Sequence, residues 1–295
     1  MTGAVRYRIE HVSRYRYTDR VRQCTMLLCL EPRDDRGQRL LRFEIESRPS
    51  GHLSREKDCF GNTRHVLDVQ QAHRVLEITT RSTVEPAPAP SLWSRPSGDT
   101  AWEAVRSAGD SFADWDFTRP SPMIRPSTAL AAFAERHRIE PWHDPLESLM
   151  RLSVILHRRL RYIPGATSAE SPVDHVLRTG RGVCQDYAHV MIAIARSWSI
   201  PARYVSGYLH ATGQSGEHVP GIATHAWAEC RLPELGWIGF DPTNRTLADD
   251  RHIRVATGRD YRDVSPTRGV VHGGGESILE VEVQVRADPE GRPGR

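Results

Sequence analysis

The hydrophobic period changes once along this chain, and that change limits the folds open to it. From residue 5 to about 85 the apolar residues come in short runs, "YRIEHVSRYRY", "TMLLCLEP", "LLRFEIESRP", "RHVLDVQ" and "RVLEITTRSTVE". These runs are rich in β-branched, aromatic and leucine residues, and several alternate polar with apolar, which is the pattern of strands. "SRPSGHLS" and "DCFGNT" supply turn chemistry between them. A small antiparallel β domain is expected. Next comes "EPAPAPSLWSRPSGD", Glu85 to Asp99, whose four prolines favour a stiff, extended linker. The boundary falls within it, giving a β-rich unit over residues 1–88 and a second unit over 89–295.

Beyond the prolines the apolar spacing becomes helical. "AWEAVRSAGDSFADW" and "SPMIRPSTALAAFAERHRI" suggest short helices. Asp144 to Leu160 is a stronger one: Asp144 can cap it, Pro145 suits its first turn, and Glu147 stands three residues past the cap. Its apolar stripe reads as Leu146, Leu149, Met150, Val154, Ile155 and Leu160. After the loop "RYIPGATSAESP" and the short helix "VDHVLRTG" comes "GRGVCQDYAHVMIAIARSWSIP". There Val183, Tyr187, Val190, Met191, Ile194 and Trp198 recur at three- and four-residue intervals, one face of a core helix. "ARYVSGYLHA", "THAWAECRL", "GWIGFDPT" and "ESILEVEVQVRAD" then read as strands, "RGVVHGGG" as a glycine-rich turn, and "PEGRPGR" as a disordered tail. The fold class is α+β.

Cys184 stands in the first turn of that core helix, beside its apolar stripe. A helix N-terminus carries about half a positive charge and free N–H groups, which favour a thiolate and suit an oxyanion in acyl transfer. A nucleophile needs a base and the base an orienter. His225, in "GIATHAWAECRL", shares a strand face with Ala223, Trp227 and Glu229, while Thr224, Ala226, Ala228 and Cys230 share the other. Asp241 ends the following strand, where antiparallel pairing can set it beside His225. Trp227 either shields this pair from water or simply fills the core. Gln185 and Asp186 follow the nucleophile, and either could order a substrate groove; Asp186 equally suits the positive end of the helix. His189 falls on another helix face and is expected to be structural.

Composition excludes several classes. Lys57 is the only lysine among 40 basic residues, the net charge is +3, and the arginines are scattered among acidic residues, so no nucleic-acid groove is indicated. No run approaches 18 apolar residues and the N-terminus lacks the pattern of a signal peptide, so no membrane partner and a cytoplasmic setting are expected. Five cysteines without a CxxC, and no HExxH, argue against a disulfide framework, a structural metal or another cofactor. Cys24 and Cys29, five apart on a strand, should face opposite ways. Cys24, Cys29, Cys59 and Cys230 are expected to serve packing only. Nothing fixes an oligomeric state.

"GRGVCQDYAHVMIAIARSWSIPARYVSGYLH", "ATHAWAECRLPELGWIGFDPTN" and "DYRDVSPTRGVVHGGG" together resemble the transglutaminase-like superfamily in its bacterial branch. "LRYIPGATS" matches the style of that branch, and the β-rich segment resembles the small domain that precedes its core. The resemblance implies a papain-like core with a Cys-His-Asp triad, carried onto Cys184, His225 and Asp241. It also suggests Tyr162 as a hydroxyl donor near the oxyanion, while the glutamine that papain-type proteases set before the cysteine has no clear counterpart here. The implied reaction is cysteine-nucleophile acyl transfer on a peptide or protein substrate through a thioester. Hydrolysis in the manner of a protease or amidase is favoured, since the extra domains and acidic loops of calcium-dependent crosslinking enzymes do not occur in this chain. The alternatives are transfer to an amine, and a non-catalytic member that binds a peptide or partner.

Overall fold

The structure is a computed structural model. It describes residues 5–87, 99–109, 111–210, 224–233 and 235–288, so most of the proline-rich junction, Ala223 and the C-terminal tail lie outside the described residues. The first five strands are β1 (Arg6–Leu28), β2 (Gln38–Arg48), β3 (His52–Lys57), β4 (Thr63–Val69) and β5 (His73–Pro86). Helices α1 (Asp99–Gly109), α2 (Trp115–Thr118), α3 (Thr128–His137) and α4 (Pro145–Arg159) follow, then β6 (Arg161–Tyr162), α5 (Val173–Thr179), β7 (Arg181–Gly182) and α6 (Cys184–Ser197). The chain closes with β8 (Ala202–Leu209), β9 (Thr224–Leu232), β10 (Gly236–Asp241), β11 (Thr246–Leu247), β12 (His252–Gly258), β13 (Thr267–Gly273) and β14 (Ser277–Asp288).

Seven strands make the first sheet, in the order β2-β5-β1-β4-β3, with β13 and β14 both added to β1. β1 serves two sets of partners: its first half pairs β5 and β14, and its second half pairs β4 and β13. Register shifts between Arg16 and Val21, and again between Val21 and Gln23, separate the halves. Sequence reading placed everything after residue 88 in one second unit and read "RGVVHGGG" as a turn. Instead, residues 267–288 return to the first sheet, and only Gly273, Gly274 and Gly275, all at positive φ, make the reversal. The strand Thr267–Gly273 owes its existence to β1, a partner more than two hundred residues away that local propensity cannot register.

The second sheet runs β11-β10-β9-β8-β12, with antiparallel pairing throughout. α6 packs on β9 and β8, and α4 and α5 pack on α6. One apolar cluster joins the two halves of the molecule, with Tyr7, Ile9, Val84, Val283 and Val285 of the first sheet in the same cluster as Leu149, Tyr187 and Met191 of the helices. A second cluster around Val21, Cys24, Leu67 and Leu76 belongs to the first sheet. Cys24 lies in this cluster and Cys29 in the larger one, as expected of opposite faces; Cys59 is exposed and serves no packing.

β12 is an edge of the second sheet, and an open edge leaves N–H and C=O groups to satisfy. Two side-chain amides from the first sheet's end of the chain do this. The Gln38 amide donates to the Arg254 carbonyl at 2.7 Å and accepts the Arg254 N–H at 2.9 Å. Asn62 likewise donates to the Thr257 carbonyl and accepts the Thr257 N–H, both at 2.8 Å.

The helices refine the sequence reading. Asp144 caps α4 by accepting the Glu147 N–H at 3.0 Å, as expected. The buried stripe, however, runs through Leu146, Leu149, Leu152 and Leu156, while Met150 is 45% exposed and Val154 and Ile155 are half-buried. Neighbours on one side only rotate the stripe that spacing had left ambiguous. α6 is buried from Asp186 through Arg196 on every side rather than along one face, a helix enclosed by the sheet and its neighbours.

Candidate active site

Cys184 is fixed by the turn before it. β7 pairs in parallel with β6, so Gly182 stands opposite Tyr162, and the Ile163 N–H bonds to the Gly182 carbonyl. Asp186, in the first turn of α6, reaches back to accept the Val183 N–H at 2.7 Å and the Thr167 hydroxyl at 2.6 Å. A Cβ at residue 182 would lie 2.7 Å from the Asp186 carboxylate, so this approach requires glycine. Asp186 is buried, which raises its carboxyl above the ordinary range, and the two hydrogen bonds work against that rise. The residue thus locks the turn that carries Cys184. The N–H groups of Cys184 and Gln185 open the helix, with no helical carbonyl four residues back to accept them.

β9 and β10 bring the next two residues together. His225 Nε2 lies 2.7 Å from Asp241 Oδ2, and both side chains are buried. Cys184 lies close enough to the His225 ring to help raise it. With Nε2 committed to the carboxylate, Nδ1 is the nitrogen left for sulfur. Burial alone would push His225 down; the hydrogen bond to Asp241, the neighbouring Cys184 and the nearby charges outweigh it and raise the histidine to about 10. Burial likewise works to raise Asp241, but the hydrogen bonds from His225, His252 and Asn244 hold it well below the usual carboxylate range. Asp241 Oδ1 is occupied as well, by the N–H groups of Thr243 and Asn244 at 3.0 and 3.1 Å.

The other residues singled out in the sequence distribute as follows. Trp227 is fully buried, stacked on His225 at 6.2 Å and edge-on to His252 at 5.2 Å, so it both fills the core and walls the His225–Asp241 pair from water. Its indole N–H has no partner among the described residues. Tyr162 is half-exposed, and burial together with the nearby Cys184 raises its hydroxyl above the usual range. Gln185 is half-buried and donates to the Ala169 carbonyl at 3.1 Å. His189 is buried and accepts the Tyr261 N–H at 3.2 Å, the structural place expected of it. Cys230 is buried in the cluster with Ala226 and Ala228, on the β9 face away from His225.

Sequence reading missed three contributors. Asn244 donates to Asp241 Oδ2 at 2.7 Å. His252 Nε2 lies 3.3 Å from that same oxygen, and its Nδ1 lies 2.9 Å from Asp249 Oδ1. The signal available was "NRTLADDRHIR", a histidine and an aspartate close behind the orienter, but its placement depends on β12 returning beside β8. His225, Asp241 and His252 bring three ligand-capable atoms within 4.8 Å of one another. All three are already hydrogen-bonded through one carboxylate oxygen, and we read them as a proton-sharing set. In chemical terms the arrangement offers a sulfur nucleophile at a helix N-terminus, a buried base aimed at it, and a fixed anion behind the base.

The chain belongs to the transglutaminase-like superfamily. Residues 135–242 match the family described as transglutaminase-like superfamily, and residues 7–85 match the bacterial transglutaminase-like N-terminal region. An uncharacterized protein of Mycobacterium tuberculosis is 36% identical over 297 residues, covering 97% of this chain and 94% of that one. A protein-glutamine gamma-glutamyltransferase of Pseudomonas aeruginosa is 32% identical over 127 residues, which is 40% of this chain and 16% of the enzyme. A solved Cytophaga hutchinsonii structure, provisionally named a cysteine protease, has the same fold, with a TM-score of 0.77 at 18% identity over 97% of this chain and 91% of that one. Among the described residues, no helix is long and apolar enough to cross a membrane.

Proposed function

We propose that the chain is a thiol enzyme that cleaves peptide or side-chain amide bonds through a thioester, with water as the acyl acceptor. The observation that carries this is the line Cys184–His225–Asp241, closed by a 2.7 Å contact between buried base and buried carboxylate. Cys184 sulfur attacks the amide carbonyl, forming a C–S bond. In this reading the N–H groups at the head of α6 and the Tyr162 hydroxyl donate to the oxyanion. As the C–N bond breaks, His225 passes its proton to the leaving amine. Water then attacks the thioester, His225 takes its proton, and the carboxylate product leaves as the thiolate returns. Asp241 keeps the imidazole in the tautomer and orientation these steps need and stays ionised throughout.

A second reading replaces water with a primary amine. The Pseudomonas aeruginosa relative supports it, because its name assigns glutamine acyl transfer to a protein whose similarity to this chain covers 40% of the chain. The two readings share every step up to the thioester.

The test uses the full chain and its Cys184→Ala variant. Iodoacetamide should label Cys184 at neutral pH faster than it labels a free thiol. Incubation with a peptide-amide library should give an acyl adduct on Cys184 by mass spectrometry. Ammonia or peptide fragments released without added amine support hydrolysis; product only with a dansylated alkylamine supports transfer. Labelling no faster than a free thiol, with no adduct, overturns both.

A further inference from the structure

His252 opens β12 beside the carboxylate that serves the candidate base, and lies outside the residues 135–242 matched by the core family. His225 and His252 direct Nε2 at one and the same oxygen, Asp241 Oδ2, at 2.7 and 3.3 Å. His252 is itself held from behind: its Nδ1 lies 2.9 Å from Asp249 Oδ1 and 3.1 Å from the Asp249 N–H. Arg251 grips the other Asp249 oxygen at 2.6 and 2.9 Å. When neutral, His252 accepts the Asp249 N–H at Nδ1 and donates Nε2–H to Asp241. When protonated, Nδ1 donates to the Asp249 carboxylate while Nε2 still donates to Asp241. Both forms therefore compete with His225 for one acceptor.

We infer that His252, aimed by Asp249, shares the Asp241 oxygen with His225 and so limits how firmly His225 keeps its proton. This rests on the reading of Cys184 and His225 as nucleophile and base. A base that must take and release the same proton in each cycle works poorly if its carboxylate holds the imidazolium too tightly. His252 acts through Asp241, so it is a positioning residue. The titratable and charged groups around it are His225 from β9, Asp241 from β10, and Asp249 with Arg251 from the segment before β12. Tyr7 of β1 lies near Asp249, and β8 meets His252 through Leu209. Burial pushes His252 down, while Asp241 and Asp249 together raise it above the ordinary value, so it meets acid as a second cation beside His225.

The experiment follows the rate of Cys184 alkylation by iodoacetamide against pH in the wild-type chain, His252→Gln and His252→Leu, with Tm measured for each. His252→Gln keeps an N–H for Asp241 but cannot become a cation; His252→Leu removes both. The pH of half-maximal rate should fall by a few tenths in His252→Gln and by about one unit in His252→Leu, because competition from His252 for Asp241 Oδ2 is weakened or removed, leaving Asn244 as the other donor there. A purely structural His252 would lower Tm and leave that pH unchanged or higher, and either result in a folded variant overturns the inference. If wild-type Cys184 itself alkylates like a free thiol, the nucleophile reading fails first, and the two failures are separable.

Discussion

Two buried histidines in this molecule meet opposite fates. Among the described residues His11, on β1 where the first sheet meets β8, hydrogen-bonds two hydroxyls, Tyr208 Oη at 3.0 Å and Ser13 Oγ at 2.9 Å. Burial alone pushes it down to about 4, so it stays neutral. His225 is about as buried, yet Asp241 and Cys184 raise it to about 10. Equal desolvation with different partners separates a structural imidazole from one that holds a proton beside a thiol. The lesson is that burial of a histidine says little until its neighbours are named.

The largest way to erase the difference is Asp241→Asn, which gives His225 a neutral partner like those of His11. The amide can still bond, but it no longer fixes the tautomer or balances an imidazolium. Turnover on an amide substrate should drop by about 10²–10⁴-fold with the fold intact by circular dichroism. A drop below about threefold would mean that the carboxylate does not serve the base.

The histidines should also bend stability with pH in opposite directions. His11 is lowered from 6.5 to about 4, so the unfolded chain binds the proton first. Stability is then full above about 6.5 and falls as pH drops through 6.5 toward 4, by of order 3 kcal/mol at most. His225 is raised from 6.5 to about 10, so its contribution is full below about 6.5 and is lost as pH rises through 10. His11→Phe should flatten the acid side of a Tm-against-pH curve and leave the alkaline side as it was. If the acid side keeps its slope, His11 is not the group that titrates there.

How much of this was legible in the sequence varies with range. The head of α6 was readable because glycine, cysteine and a helical stripe are local, and His225 and Asp241 because adjacent strands β9 and β10 obey simple alternation. The Asp144 cap was visible for the same reason. What escaped depends on distant pairing. β13 and β14 join β1 across most of the chain, and "RGVVHGGG" carries no local sign of it. His252 escaped likewise: it reaches Asp241 only because β12 returns beside β8, on the sheet's far edge from β10. The α4 stripe was misjudged at Met150 and Val154 because leucines and methionine surround that helix and only packing selects among them.

The smallest expected effect tests whether the first sheet matters to His225 in the way it matters to His11. Gln38 seals the edge of β12 at Arg254, two residues from His252, while Asn62 seals it at Thr257, five residues away. Gln38→Leu and Asn62→Leu each strip a buried N–H and a buried carbonyl of their partner. Each should cost about 1–3 kcal/mol in urea unfolding, the usual penalty for a buried polar group left unmade. His11 sits in the same junction through Tyr208, so both variants should also flatten its acid-side loss as the loosened interface lets water back to the ring. At the His225 site they should part company. Loosening β12 at Arg254 frees His252 from Asp241, so Gln38→Leu should lower the half-maximal pH of Cys184 alkylation by a few tenths, whereas Asn62→Leu should leave it in place. Equal shifts from both would show that the first sheet acts on the site only by holding the molecule together, and would remove β12 as the link between the two halves.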